Sequence, residues 1–116
     1  MESPPTPELP PLPASGEVDL VRVGFSFVTG GAGACGITLE PWKHIAVSRE
    51  ILAKYGCGTE VTVDLSEEIA GRSSFRAVIA DTMNPVHSRT INIYVGRDEP
   101  ALDYGVTTGK LEIDSP

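Results

Sequence analysis

Apolar and polar residues alternate along several short stretches of this chain, which is the pattern of strands that bury one face. The clearest alternation runs from Val21 to Phe27, and a nearly continuous apolar run over 75–80 is typical of a central strand. Helix-like segments are confined to 48–55 and 98–104, each about two turns long. The predicted strands lie at 21–27, 44–48, 61–65, 75–80, 91–95 and 110–113.

Many short strands, glycine-rich turns and little helix predict an all-β fold, either a small closed barrel or a sandwich. A chain of 116 residues has room for one such domain. Prolines are concentrated in residues 1–16 and favour an extended conformation. The sequence therefore predicts a proline-rich extended arm or linker at 1–16 and a folded domain at 17–116.

The proline-rich arm has two interpretations. Residues 10–13 match a ligand for an aromatic groove, which would give the arm a protein partner. A semi-rigid tether is the favoured reading, because proline-rich segments commonly act as spacers.

Charge excludes some classes of partner. The formal net charge of the chain is -7. Nucleic acids and anionic membranes are bound mainly by Lys and Arg, which neutralise phosphate, so an acidic chain is poorly suited to them. No apolar run is long enough to span a bilayer, and residues 1–5 do not read as a signal peptide. We therefore expect no nucleic-acid or membrane partner. The location is left open between the cell envelope or extracellular space and a virion.

The chain contains two cysteines, Cys35 and Cys57. A disulfide between them would contribute about 3 kcal/mol in the chain-entropy model. The alternative is a pair of reduced thiols that behave as small apolar residues. No paired histidines accompany the cysteines, so a zinc site is not expected, and no motif predicts another cofactor.

Polar residues at strand ends are the candidates for chemistry. Asp81 ends the apolar run at 75–80, where desolvation would raise its pKa and suit it to acid catalysis. The alternative is a turn carboxylate that binds the backbone at 82 or 83. Tyr94 lies on the face opposite Ile91 and Ile93, and is expected to form a cleft wall.

Other aromatic and basic residues have simpler interpretations. Trp42 is expected to pack in the core rather than stack on a sugar, and His44 beside it is also expected to pack. His87 lies in a polar loop and could line a groove. The glycine-rich run 30–33 lacks the ending of a phosphate-binding loop, and predicts a flexible turn beside a cleft.

The order of several short motifs is similar to that of the 3D domain, a family named for three aspartates and found in MltA-type lytic transglycosylases and related bacterial cell-wall proteins. The resemblance covers residues 20–114, and the cysteine-glycine segments also resemble barwin and expansin-like proteins. The motifs are His44-Ile45-Ala46-Val47-Ser48, Gly58-Thr59-Glu60-Val61-Thr62-Val63, Ala77-Val78-Ile79-Ala80-Asp81-Thr82, Ile91-Asn92-Ile93-Tyr94-Val95-Gly96, Ala101-Leu102-Asp103-Tyr104-Gly105 and Thr108-Gly109-Lys110-Leu111-Glu112-Ile113.

This resemblance implies a six-stranded double-psi β-barrel and non-hydrolytic cleavage of the peptidoglycan glycan chain by a carboxylic acid. The three aspartates would fall at positions 48, 81 and 92, where this chain has Ser48, Asp81 and Asn92. The resemblance implies that position 92 would carry the acid, but an asparagine side chain has no titratable proton. Any catalysis would therefore depend on Asp81. Together with the candidates from the strand pattern and the polar loop, the expected substrate-binding residues are Asn92, Tyr94, Ser48 and His87.

Two functional hypotheses follow. The first is a peptidoglycan-directed barrel that binds glycan strands, or cleaves them as a lytic transglycosylase, at a degenerate acidic site. The alternative is a non-catalytic structural module of a phage particle or another large assembly, because a fold alone does not confer function.

Overall fold

A computed structural model of the protein describes residues 11–114. Two helices and six strands are present in this range, and each predicted strand and helix has a counterpart within a few residues. The elements are β1 (Gly16–Phe27), β2 (His44–Val47), α1 (Arg49–Tyr55), β3 (Glu60–Ile69), β4 (Arg72–Thr82), β5 (Thr90–Val95), α2 (Ala101–Tyr104) and β6 (Thr107–Ile113).

The strands close into one barrel in the order β1-β5-β2-β4-β3-β6. The pairs β1–β5 and β2–β4 are parallel, whereas the other pairs are antiparallel. Such a mixed order requires the chain to cross the barrel between sequential strands. The prediction of a small, closed, six-stranded all-β domain is confirmed.

The period-two alternation in the sequence explains the barrel interior. Successive side chains of a strand point to opposite faces, so every second residue can enter the core. In β5, Ile91, Ile93 and Val95 are fully buried in the core, while Asn92 and Tyr94 occupy the opposite, outer face. The outer wall of the barrel is therefore where polar side chains of β5 can meet those of neighbouring strands.

The hairpin of β3 and β4 is longer than the apolar pattern predicts. Both strands extend through the polar residues 66–68 and 72–74, and through the buried Ile69, to a two-residue turn at Ala70 and Gly71. These two residues have φ values of 53° and 77°. Positive φ at both central positions is the geometry of the tight turn that matches strand twist, although Ala-Gly is a weaker signal for it than Asn-Gly.

An aromatic cluster packs against the core. Trp42 is half-buried there, and its ring contacts Phe25, Phe75 and Tyr104 with centroid separations of 5.5–6.1 Å. Its Nε1–H donates to the Glu99 carboxylate at 2.7 Å. Trp42 therefore packs against the core, as expected, but it stays partly open to solvent.

The last residues of the proline-rich arm, 11–16, lie on the barrel. Leu12 packs against the core, and the Tyr55 hydroxyl donates to the Pro13 carbonyl at 2.7 Å. Strand β1 begins at Gly16, close to the predicted boundary. Residues 1–10, which hold most of the predicted arm, lie outside the described residues, so the division at 16/17 stays a prediction. Within 11–114, no helix is long and apolar enough to cross a membrane.

Candidate functional site

Four residues lie side by side across the outer wall of the barrel. Gly24 of β1 pairs with Asn92 of β5, and Ala46 of β2 pairs with both Asn92 and Asp81 of β4. Neighbouring strands are about 4.8 Å apart, so the Cα atoms of Asp81 and Asn92 are separated by about 10 Å. The strand order thus brings together two residues that lie on separate strands in the sequence.

Asp81 is held by three hydrogen-bond donors. Its Oδ1 accepts the backbone N–H groups of Ala34 and Thr82, each at 2.8 Å. Its Oδ2 accepts the hydroxyl of Tyr94 at 2.7 Å. Both carboxylate oxygens are therefore bound within the protein, and the bond to Thr82 is the turn-type contact that the sequence left open.

The ionised form of Asp81 is favoured by these contacts. Burial by itself raises the pKa of the carboxyl, as expected for the end of a buried strand. The hydrogen bonds from Tyr94, Ala34 and Thr82 outweigh burial and hold the pKa of Asp81 below its ordinary value. Of the two alternatives for Asp81, the raised pKa is therefore wrong, because the sequence cannot show three donors that converge from separate segments.

Tyr94 lies beneath the site rather than along its wall. It is 9% exposed and packs in a small apolar cluster with Leu39, Ala46 and Ala80. Burial and the bond to the Asp81 carboxylate both raise the pKa of its hydroxyl. The ring is therefore not open for stacking on a sugar, and its role here is to position the carboxylate.

The segment 28–39 covers one side of Asp81, which stays half-buried. A Cβ atom added to Gly33 would lie 2.6 Å from the Ala80 carbonyl oxygen and 2.8 Å from the Asp81 side chain, so only glycine fits. The N–H of Cys35 donates to the same Ala80 carbonyl at 3.2 Å. The glycine run of the sequence is thus a close-packed cover at this position.

A disulfide joins this cover to the end of α1. Cys35 and Cys57 are bridged, with a Cα separation of 5.5 Å. Of the two alternatives left open by the sequence, the structure has the bridge. It links the segment over Asp81 to the turn that precedes β3.

Asn92 faces an open groove on the other side of the row. The groove has a volume of about 350 Å³ and lies between β1, β5 and the α2 region. A Cβ on Gly24 would lie 2.5 Å from the Asn92 Oδ1, so the glycine leaves room for the amide. The residues that line the groove are Arg22, Gly24, Phe25, Asn92, Ala101, Leu102, Gly105 and Val106.

Ser48 is enclosed, contrary to the expectation of a substrate contact. Its side chain is fully buried at the start of α1. The hydroxyl donates to Glu50 at 2.9 Å and accepts the N–H of Thr90 at 3.3 Å. A side chain in this position joins α1 to β5 and does not reach a ligand on the surface.

The two histidines lie outside this row. His87 is exposed in the turn between β4 and β5 and does not line the Asn92 groove. His44 is buried at the start of β2, where its Nδ1 accepts the N–H of Glu40 at 2.8 Å. Burial lowers the pKa of His44, which fits the packing role expected for it.

Several residues of the site could not be found from the sequence. Ala34 acts through its backbone, and Gly33 through the absence of a side chain, so neither carries a chemical signal. Arg22 and Leu102 belong to separate elements that only the closed barrel brings together. Within residues 11–114, no group of three or more His, Cys, Asp or Glu side chains could hold a metal ion.

Comparison with known proteins identifies the fold. No protein-family model matches the chain, and no curated protein sequence does. A mutant expansin of Clavibacter michiganensis, solved in complex with cellohexaose, matches with a TM-score of 0.63 and 17% identity. The match covers 86% of this chain and 52% of the expansin, so the chain spans about half of that protein.

Escherichia coli MltA, a lytic transglycosylase, has the same barrel. One of its structures, a mutant in an apo form, matches with a TM-score of 0.54 and 16% identity, over 69% of this chain and 26% of MltA. A second structure of MltA matches with a TM-score of 0.52 and 17% identity over the same shares. The chain is a double-psi β-barrel, which confirms the fold predicted from the motif order.

Proposed function

We propose that this barrel binds the glycan strands of peptidoglycan in the groove beside Asn92, without cleaving them by acid catalysis at Asp81. The observation that carries the proposal is the state of Asp81, a carboxylate bound by three donors with a lowered pKa. The motif order that resembles the 3D domain supports the choice of glycan.

Cleavage by a lytic transglycosylase needs a carboxylic acid that protonates the glycosidic oxygen. At neutral pH an aspartate with a lowered pKa is ionised, so Asp81 has no proton to donate. Asn92 has no titratable proton at any pH. Among residues 11–114, no Asp or Glu lines the groove that Asn92 faces, so these residues supply no proton donor to the open part of the site.

The groove nevertheless suits a sugar. The Asn92 amide can both donate and accept hydrogen bonds, as ring hydroxyls and acetamido groups require. Leu102 and Val106 flank it and are 92% and 54% exposed, which gives apolar surface for the faces of sugar rings. The barrels of an expansin solved with cellohexaose and of a lytic transglycosylase share this fold, which supports a polysaccharide ligand.

The test is incubation of the protein with purified peptidoglycan, followed by a pelleting assay and by mass analysis of the soluble products. We expect the protein to pellet with peptidoglycan and to release no anhydro-muropeptides. Asn92→Asp, which restores the third family carboxylate in the groove, is the matched variant. Anhydro products from the wild type would overturn the non-catalytic assignment, and a failure to pellet would overturn glycan binding.

A structural module of a phage particle or another assembly is the second candidate. The observation that favours it is the cover over Asp81, where Gly33 and Cys35 fill one side of the ancestral site. This candidate predicts that the protein ignores glycans and associates with itself or with another protein. A protein that sediments as a monomer in solution and that also pellets with peptidoglycan would exclude this second candidate.

A further inference from the structure

In the part of the chain that the structure describes, the Asn92 groove is lined by one cation, Arg22, and by no acidic residue. This is notable in a chain with a formal net charge of -7, in which most cations have partners. Lys43, Arg76 and Lys110 form ion pairs with carboxylates. Arginines elsewhere bind backbone carbonyls or lie over an aromatic ring.

Arg22 has no such partner among residues 11–114. No hydrogen bond, ion pair or ring contact involves the Arg22 guanidinium. Among the described Lys and Arg residues, Lys54 of α1 is the other one without such a contact. Arg22 precedes Gly24 by two residues on β1, so both lie on the outer face of the strand. The guanidinium therefore lies on the same wall as the Asn92 amide, with no side chain at position 24 between them.

We propose that the groove selects a glycan that carries a carboxylate, and that Arg22 is the residue that determines this specificity. This inference rests on the proposed glycan binding. A guanidinium can bind a carboxylate through two parallel hydrogen bonds, which gives both energy and orientation. The Asn92 amide then binds hydroxyl or acetamido groups of the same or the next sugar.

Two sources can supply such a carboxylate. Peptidoglycan strands from which the peptides have been removed carry a free lactyl carboxylate on each muramic acid, whereas strands with peptides have an amide there. Uronic-acid polysaccharides carry the group on the sugar ring. The shared chemistry is a sugar carboxylate, and the two sources differ in its distance from the ring.

The experiment is a calorimetric titration at physiological ionic strength with three probes. They are peptide-free peptidoglycan strands, the same strands after chemical reduction of their carboxylates to alcohols, and oligogalacturonate. We expect the wild type to bind one or both carboxylate probes at least about tenfold more tightly than the reduced strands, as a charge-assisted contact implies. The preferred probe identifies the source.

Arg22→Gln removes the charge and should abolish the preference, so that the peptide-free strands bind no better than the reduced ones. Lys54→Gln is the matched control, because it changes the net charge by the same amount as Arg22→Gln. Lys54 lies on α1 and does not line the groove. This control variant should keep the preference. Thermal unfolding should be the same for both variants, since neither side chain is buried.

Each outcome is decisive. Equal affinity of the wild type for the reduced strands and for both carboxylate probes would overturn the role of Arg22 and leave glycan binding intact. The role is also overturned if Arg22→Gln keeps the preference, or if Lys54→Gln loses it. Binding of none of the three probes would overturn the proposed function itself.

Discussion

The Tyr94 hydroxyl donates to Oδ2 of Asp81 at 2.7 Å, while the N–H groups of Ala34 and Thr82 occupy Oδ1. This single carboxylate connects β4, β5 and the covering segment 28–39. Burial of Tyr94 keeps its hydroxyl neutral and therefore able to donate. Asp81 is thus an anchor of the outer wall of the barrel.

The first prediction concerns the stability of the protein at low pH. The pKa of Asp81 is lower in the folded state than in the unfolded state, so its contribution is present above the unfolded pKa of about 3.9 and is lost as pH falls through the folded pKa. Asp81→Asn should therefore cost about 1–2 kcal/mol at neutral pH and lose this part of the acid sensitivity. Urea unfolding at a series of pH values measures both effects.

Glu67→Gln is the control for this prediction, because Glu67 is an exposed carboxylate on β3. It should leave the free energy of unfolding nearly unchanged across the series. If Asp81→Asn proves as stable as the wild type at neutral pH, the hydrogen bonds to the carboxylate do not stabilise the fold as we infer.

The second prediction concerns the cover over Asp81. Gly33→Ala forces a methyl group against the Ala80 carbonyl and the Asp81 side chain, and should lower the free energy of unfolding by about 1–3 kcal/mol. Gly31→Ala, two residues earlier, meets only the Thr29 hydroxyl at 3.8 Å and should be nearly neutral. Denaturant unfolding compares the pair, and similar effects of the two substitutions would show that the cover does not pack as described.

The third prediction concerns the disulfide. The bridge between Cys35 and Cys57 closes a loop of 22 residues, and its removal should cost about 3 kcal/mol in the chain-entropy model. Calorimetry should show a lower melting temperature for the double variant Cys35→Ser and Cys57→Ser. A reducing agent should destabilise the wild type similarly and have no effect on the double variant. A wild type that is indifferent to reduction would contradict the bridge.

The fourth prediction separates the groove from the fold. Gly24→Ala places a methyl group 2.5 Å from the Asn92 Oδ1, which is the end of a side chain that can rotate away. We expect a small change in stability and a loss of glycan affinity, because the amide no longer faces the groove. The affinity and the melting temperature are measured on the same sample, and an affinity equal to that of the wild type would remove Asn92 from the binding site.

Much of the fold follows from local sequence patterns. The alternation of Ile91 to Val95 predicts a strand that has one face in the barrel, and the structure places it so. In β1 the prediction holds for Val23 and Phe25, whereas Val21, which lies in a register shift, and Phe27 at the strand end are exposed. The β3–β4 hairpin is longer than predicted because most of its last residues, 66–68 and 72–74, are polar. Their strand conformation depends on the tight turn at Ala70 and Gly71, which periodicity does not show.

The site was less predictable, because its properties arise from residues that are distant in the sequence. The sequence places Asp81 at the end of a buried strand, but not the backbone donor of Ala34, which lies 47 residues away. The same difficulty applies to Ser48, which is fully buried and accepts the N–H of Thr90, 42 residues away. Position within a strand can be predicted, whereas the partners of a side chain depend on the closure of the barrel.

Binding of a glycan in the Asn92 groove is tested most directly by backbone amide chemical shifts, recorded while peptide-free peptidoglycan strands are added to the isotopically labelled protein. The account predicts saturable shifts that centre on Arg22, Gly24, Asn92 and Leu102, with smaller changes at Asp81 beneath its cover. No shifts at saturating glycan, or shifts confined to another face of the barrel, would contradict it.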